Sequence, residues 1–424
     1  MKKFNPWQWL VFSFIILIIS GAILLKAPWI EHQNGLSWTD AFFTSTSAVC
    51  VTGLTSVSTT GFNIWGQLTI LLLLQTGAIG IMTLTTSFFL FIKRNVGTKY
   101  KLSFAQTSHT FDLYEARIIL KRIIILTWMI EFIGFILLSI GFLIQGLDPG
   151  GAMFHALFHS ASAFANAGFS TFENSLTGTH LLVKITVMIL IALGGLGYFV
   201  LYEISTKKKL FKKYSLHTKI VLLTSIILWA GGFIFFLMSE GRDIPVIDAL
   251  FLSVTARTAG FNTIEMSSLS YASVFLLFIL MFIGASPGST GGGIKTTNAF
   301  VMIYSIWSLL KGRTTVTVFN RTIPLRFIMK AFATATLFFI IISIASVLLL
   351  EWNDFSLVPV LFEVISALGT VGLSLGITSE LNEAGKWIII LLMFIGRVGP
   401  ASLALAVMMR QKEAKIKYPE EEIF

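Results

Sequence analysis

The stretch Ser366-Ala367-Leu368-Gly369-Thr370-Val371-Gly372-Leu373 sets the reading of this chain, because its construction recurs three more times. Gly53 closes Asp40-Ala-Phe-Phe-Thr-Ser-Thr-Ser-Ala-Val-Cys-Val-Thr-Gly53. Gly168 closes His155-Ala-Leu-Phe-His-Ser-Ala-Ser-Ala-Phe-Ala-Asn-Ala-Gly168. Gly260 closes Asp248-Ala-Leu-Phe-Leu-Ser-Val-Thr-Ala-Arg-Thr-Ala-Gly260, one residue shorter. Each copy is a short apolar helical start, a turn or two rich in small residues, and a glycine followed by Leu or Phe. The copy at Gly372 opens more loosely, on Pro359-Val-Leu-Phe362, but keeps the Phe-to-Gly distance of the first two.

A single glycine after a helix is most often a C-cap. Four of them, each between two long apolar stretches, place irregular backbone at membrane depth, which is tolerated only where it is buried in protein or lines a water-filled cavity. Thr370-Val371-Gly372 also matches the opening of the TVGYG loop, whose carbonyl oxygens replace a potassium ion's hydration shell in channels. Glycine permits the backbone angles that aim consecutive carbonyls at one axis, and the negative ends of the short helices favour a cation there. The expected ligands are backbone oxygens of Val51, Thr52, Gly53 and Leu54; Asn166, Ala167, Gly168 and Phe169; Thr258, Ala259, Gly260 and Phe261; and Thr370, Val371, Gly372 and Leu373. Backbone ligation explains why the side chains differ between copies.

Composition places these loops in a membrane. Of 424 residues, 55% are hydrophobic and 12% charged, with a mean hydropathy of +0.83, whereas soluble domains are about 25% charged. The single cysteine, Cys50, excludes an intrachain disulfide and a Cys-based metal site. A net charge of +10 invites a nucleic-acid reading, but 24 of the 31 Lys and Arg fall at the N-terminus (Lys2, Lys3) and in 93–122, 207–219, 311–330 and 410–417. Acidic residues take the other loops: Glu31, Asp40, Asp148, Glu173, Glu240, Asp243, Glu265, Glu351, Asp354, Glu380 and Glu383. This is the positive-inside pattern, and it puts both termini in the cytoplasm. The first apolar stretch lacks a small-residue cleavage site before Lys26-Ala27-Pro28 and reads as a spanning helix rather than a signal peptide.

The spans are expected at about 7–25 and 68–92, 118–144 and 181–204, 220–238 and 270–310, and 327–350 and 387–409, each long enough for the hydrocarbon core. Between the members of each pair lies a shorter helix: from Ser37-Trp38-Thr39-Asp40 to near Cys50, then 151–165, 245–257 and 357–368. Two crossings return the chain to the same side, so the repeats at 1–95, 110–210, 214–315 and 322–411 run parallel, followed by a cytoplasmic tail at 412–424. The fold class implied is an all-α membrane protein: four parallel helix–pore helix–loop–helix repeats in pseudo-fourfold arrangement around one pore. Gly77, Gly284 and Gly396 each lie 24 residues after their loop glycine, and Gly194-Gly195 lie 26 and 27 after theirs. Small residues at one depth let second spans approach each other, or a central cavity, closely.

The last span of the third repeat is interrupted by Ala285, Ser286, Pro287, Gly288, Ser289, Thr290, Gly291, Gly292 and Gly293. The stretch nearly matches a phosphate-binding loop, but Ile294 displaces Lys295 by one position and no strand precedes it. One Pro and four Gly in nine residues must break a helix, and broken helices at mid-membrane belong to ion pathways; a gate is the role expected. Arg397 lies 11 residues from Lys386 and 13 from Arg410, near the bilayer centre, where a charge costs roughly 2.5–3.5 kcal/mol and marks function by default. Glu131 is similarly central, with no partner evident. Arg257 would repel cations from a pore and is expected to pack behind the third loop. His155 and His159 have i, i+4 spacing but no third metal ligand, so they are read as core or loop-supporting residues.

With these residues in hand, the chain resembles the Ktr/Trk/HKT superfamily of potassium transporters, most closely its bacterial KtrB-type membrane subunits. The resemblance covers nearly the whole chain. It rests on the four repeats, Thr258-Ala259-Gly260-Phe261, the broken helix around Gly288–Gly293 and Gly396-Arg397-Val398-Gly399-Pro400. It implies a multi-pass protein of the bacterial cell membrane, embedded in lipid and homodimeric, that takes up K⁺ through a gated pore with Na⁺ as a stimulating ion and no organic cofactor. It also implies that the gate is the loop at 285–293 held by Arg397, and that a cytoplasmic KtrA-type nucleotide-binding ring is the partner. Two rival functions make different demands on the sequence. A coupled secondary transporter of another class predicts inverted repeats, and these run parallel. A membrane enzyme needs a convergent acid, base or metal cluster, for which only Glu131, Arg397 and scattered histidines qualify.

Overall fold

The computed structural model describes residues 6–33, 35–95, 113–207 and 211–399. Among them are fourteen α-helices, three, four, four and three in successive quarters of the chain. The first quarter holds α1 (Pro6–Leu25), α2 (Trp38–Cys50) and α3 (Ile64–Asn95); the second holds α4 (Leu113–Ile144), α5 (Pro149–Ala165), α6 (Leu181–Leu196) and α7 (Tyr198–Lys207). The third holds α8 (Leu216–Glu240), α9 (Val246–Thr255), α10 (Tyr271–Phe282) and α11 (Thr296–Leu310). The fourth holds α12 (Leu325–Trp352), α13 (Leu357–Gly369) and α14 (Glu383–Val398). A two-residue antiparallel pair, Thr317–Val318 with Arg321–Thr322, joins the third quarter to the fourth. The tail expected at 412–424 lies outside the described residues.

The short helices α2, α5, α9 and α13 have 13, 17, 10 and 13 residues. At about 1.5 Å per residue, none crosses a hydrocarbon core of roughly 30 Å. Local chemistry sets their ends. Ser37 Oγ accepts from the Asp40 amide at 3.0 Å to start α2. Asp148 accepts from the Gly151 amide at 2.8 Å, beside Pro149 in the first turn of α5. The helices α2, α5 and α13 stop where Val51, Asn166 and Thr370 turn left-handed.

Two second spans depart from the expected continuous helices. The run expected at 181–204 is bent by 96° between α6 and α7, at Gly197 (φ 85, ψ 143). The run expected at 387–409 leaves the helix at Gly399 (φ 84, ψ 132), with 400–409 outside the described residues. These glycines occupy equivalent places, three residues after Gly194 and Gly396. Around both glycines the sequence stays largely apolar, so hydropathy had no means of marking the bend. The third-quarter break is as expected, with α10 and α11 separated by the loop at 283–295.

The core closes the quarters on one another. One cluster joins Phe14, Phe43 and Leu74 of the first quarter to Phe338, Val364 and Leu392 of the fourth. A second joins Phe142, Phe164 and Val187 to Phe251 of the third, and a third joins Phe236 and Leu277 to Phe362 of the fourth. The residue after each loop glycine extends this order. Phe169 is buried in the first cluster, Phe261 in the second and Leu373 in the third, each beside core residues of its own quarter and of the quarter before it.

Candidate ion pathway

The four glycine loops share one backbone. Positive φ falls on the loop glycine and on the residue two before it in every copy: Val51 (56) and Gly53 (95), Asn166 (58) and Gly168 (70), Thr258 (77) and Gly260 (74), Thr370 (50) and Gly372 (92). L-residues rarely adopt this region, so four matching alternations report one constraint rather than four accidents. The loops also touch in cyclic order. A Cβ placed on Gly53 would meet Ala167 O at 2.5 Å, one on Gly168 would meet Ala259 O at 2.8 Å, and one on Gly260 would meet Val371 O at 2.5 Å. One on Gly372 would run into Thr52 O, which closes the ring.

Each short helix supplies a hydroxyl that fastens its own loop, at a position the sequence reading had not singled out. Ser47 Oγ accepts from the Gly53 amide and Ser366 Oγ from the Gly372 amide, both at 3.1 Å. Ser162 Oγ donates to Phe169 O at 2.8 Å and Thr255 Oγ1 to Phe261 O at 2.7 Å. A Ser or Thr stands six residues before the glycine in three copies and five before it in the shorter one; that spacing was the available signal. The second loop has extra support. His159 joins Ser170 Oγ at 3.0 Å and His155 joins Thr171 Oγ1 at 2.7 Å, so the two histidines brace the loop. Among the described residues there is no group of three metal-ligating side chains.

Ion pairs clamp two of the four junctions between quarters. Lys386, near the start of α14, reaches Asp40 of α2 at 2.7 Å, and Lys184 of α6 reaches Asp248 of α9 at 2.6 Å. The two pairs join equivalent positions. Asp40 also accepts from Ser56 Oγ at 2.8 Å. Burial would raise the Asp40 carboxyl, but the Lys386 ammonium and the Ser37 and Ser56 hydroxyls outweigh it and hold the group below its ordinary value.

On one side of the ring lies a vestibule of about 360 Å³, lined by Gly53, Gly168, Gly260 and Gly372 and by hydroxyls such as Ser56, Ser170 and Ser374. On the other side sits the 285–293 loop, against the residues that precede the glycines. The Gly292 amide donates to Thr370 Oγ1 at 2.9 Å, Thr290 Oγ1 donates to Phe164 O at 3.4 Å, and Gly291 faces Thr258 Oγ1. A Cβ on Gly292 would lie 2.5 Å from Thr370 Oγ1, so the loop needs glycine to come this close. The bent second span holds its far side. The Ser286 amide donates to Gly195 O at 3.1 Å and the Tyr198 amide to Gly288 O at 3.3 Å. Ala285, Ser286, Ser289 and Thr290 are buried, and Pro287, Gly288 and Gly293 complete the turn.

Arg397, 4% exposed, bridges three quarters from α14. Its Nη1 donates to Thr290 O of the loop, and its Nη2 to Gly77 O of α3 at 2.9 Å. Arg257 is buried behind the third loop as expected, over the Trp229 ring at 5.3 Å, with Nη2 3.5 Å from Gly284 O. Glu131 has the partner that sequence had not supplied: Gln75 Nε2 donates to both of its carboxylate oxygens, at 3.0 and 2.9 Å. The second series of glycines serves a different neighbour from the one expected. Positions 77, 194 and 396 press on the carbonyls of Val49, Phe164 and Leu368 in the short helix of their own quarter, and Gly284 on that of Gly292. These glycines thus let the second spans approach the short helices of their own quarters, while Arg397–Gly77 and Ser286–Gly195 join second spans to one another.

A family model described as TrkH, cation transport protein, matches residues 5–417. The potassium/sodium uptake protein NtpJ of Enterococcus hirae is 34% identical, over 100% of this chain and 97% of that protein. The Ktr system potassium uptake protein B of Bacillus subtilis is 35% identical over the same shares. Among solved structures, the potassium transporter TrkH from Vibrio parahaemolyticus superposes with a TM-score of 0.77 over 96% of this chain and 86% of that one, at 21% identity, a likeness of fold.

Proposed function

The chain belongs to the TrkH family of cation transport proteins, and on that premise we propose that it is the ion-conducting subunit of a potassium uptake system. The observation that supports this reading best is the closed ring of four loops with one repeated backbone. In this reading the four quarters are parallel repeats set pseudo-fourfold around a single pore. The ring is the selectivity filter, with K⁺ as the substrate held by its carbonyls. K⁺ enters from the hydroxyl-lined vestibule, sheds water against the carbonyls, and meets the 285–293 loop as a barrier on the inner side. Arg397 latches that barrier: its planar fork holds carbonyls of the loop and of α3 together, and it cannot deprotonate to let go. The protein is a multi-pass component of the cell membrane with cytoplasmic termini. It works as a homodimer, stimulated by Na⁺ and controlled by a cytoplasmic nucleotide-binding ring of KtrA type.

The test is isotope K⁺ uptake in a bacterial strain stripped of its own potassium systems, with and without such a ring subunit and with and without Na⁺. Uptake that K⁺ saturates and Na⁺ fails to replace supports the reading. No uptake from membranes that contain folded protein overturns it.

A further inference from the structure

Arg397 is not the sole cation on the 285–293 loop. Lys295, at the start of α11, turns its side chain back so that Nζ lies 2.6 Å from Gly291 O and 3.4 Å from Gly292 O. Arg257 holds Gly284 O on the opposite arm. Among the described residues none of these three cations has a carboxylate partner. Their charge is met by backbone carbonyls and, for Arg257, by the Trp229 ring. Gly291 and Gly292 are also the two residues set against Thr258 and Thr370, directly beneath the ring.

We propose that Lys295 is a second latch of the barrier, a positioning residue that acts through the loop and independently of Arg397. Arg397 ties Thr290 across to another quarter. Lys295 ties Gly291 and Gly292 down to the helix that follows them, keeping the tip of the loop pressed on the filter. The loop must break both sets of bonds to move aside. An ammonium suits this place: it is a compact charge with three donors on a flexible stem, able to fold back over one turn of chain. The inference rests on reading the loop as a barrier.

The experiment uses the full-length protein, purified and reconstituted in liposomes, with isotope K⁺ flux as the first readout. The second is modification of Ser289→Cys, in a Cys50→Ala background, by a membrane-impermeant thiol reagent from the inner side. Ser289 is 2% exposed, so its reaction rate reports loop opening, which a merely structural residue would leave unchanged. Lys295→Met is expected to raise both flux and modification about tenfold, the factor that corresponds to ~1.4 kcal/mol for one lost charge-assisted bond. Lys295→Gln, which keeps donors without the charge, is expected to fall between, and it decides the matter if Lys295→Met fails to fold. Arg397→Gln serves as the parallel arm. If Arg397→Gln raises flux while both Lys295 variants stay at or below the parental values, the second latch is refuted and the barrier stands. If none of the variants changes flux or modification, the barrier reading falls and the latch with it.

Discussion

Replacing Gly372 by serine tests the filter assignment most directly. Gly372 sits at φ 92, where an L-residue is strained by roughly 1–3 kcal/mol. A Cβ built there would also collide with Thr52 O and stand 3.1 Å from the Gly53 Cα. Neither neighbour is a flexible side-chain tip; both are backbone of the first loop, so relief requires the two loops to part. Backbone that moves by more than a few tenths of an ångström cannot hold carbonyls at the spacing that replaces one ion's water. A strain of this size, relieved by opening the ring, is expected to lower the preference for K⁺ over Na⁺ about tenfold, since ~1.4 kcal/mol is a factor of ten. The assay is competition of Na⁺ with isotope K⁺ flux in liposomes, with size-exclusion behaviour confirming that the variant is folded. Folded Gly372→Ser with parental K⁺/Na⁺ competition would falsify the reasoning, because it would place discrimination away from the ring.

Ser366→Ala removes the acceptor of the Gly372 amide and should cost about 1 kcal/mol in stability, with K⁺ preference weakened less than by Gly372→Ser; thermal melting and the same competition assay check both halves. Gly197→Ala adds a Cβ 2.8 Å from Pro287 O at a residue of φ 85, so it should displace the far arm of the barrier and raise K⁺ flux, and unchanged flux would argue that the bend does not hold the loop. The Asp40–Lys386 clamp gives a pH signature. The folded carboxyl lies below its unfolded value, so its contribution is full above about pH 4 and is lost as pH falls through the folded value. Melting temperatures of the parent should therefore drop on acidification below about pH 4, and those of Asp40→Asn should drop less. Lys386→Met, which strands the buried Asp40 carboxylate, should destabilise by roughly 1–3 kcal/mol, and the double variant should recover part of that loss.

The loop residues around Gly53, Gly168, Gly260 and Gly372 are legible in the sequence, and the structure brings them into one ring. The break at 285–293 and the burial of Arg397 were also legible. Missed were the supporting hydroxyls Ser47, Ser162, Thr255 and Ser366, the partner of Glu131, the fold-back of Lys295 and the bend at Gly197. A serine in a helix is a common and locally neutral residue, and nothing in its neighbours says which carbonyl or amide it will meet.

The division follows the range of the forces involved. Helix length, the stops at small residues, the run of glycines and the placement of basic loops are matters of nearest neighbours and of solvent, so they can be read from the order of residues alone. The closing of the quarters into a ring depends on which apolar faces meet. Phe169, Phe261 and Leu373 look alike in sequence, yet each is buried in a different cluster, one that joins its own quarter to the quarter before it. The same holds for charge. Arg397 and Thr290 are 107 residues apart, and Lys386 and Asp40 are 346 apart. A buried cation takes whichever carbonyls or carboxylates the packed helices bring within about 3 Å, and that choice is made only when the chain has folded around it.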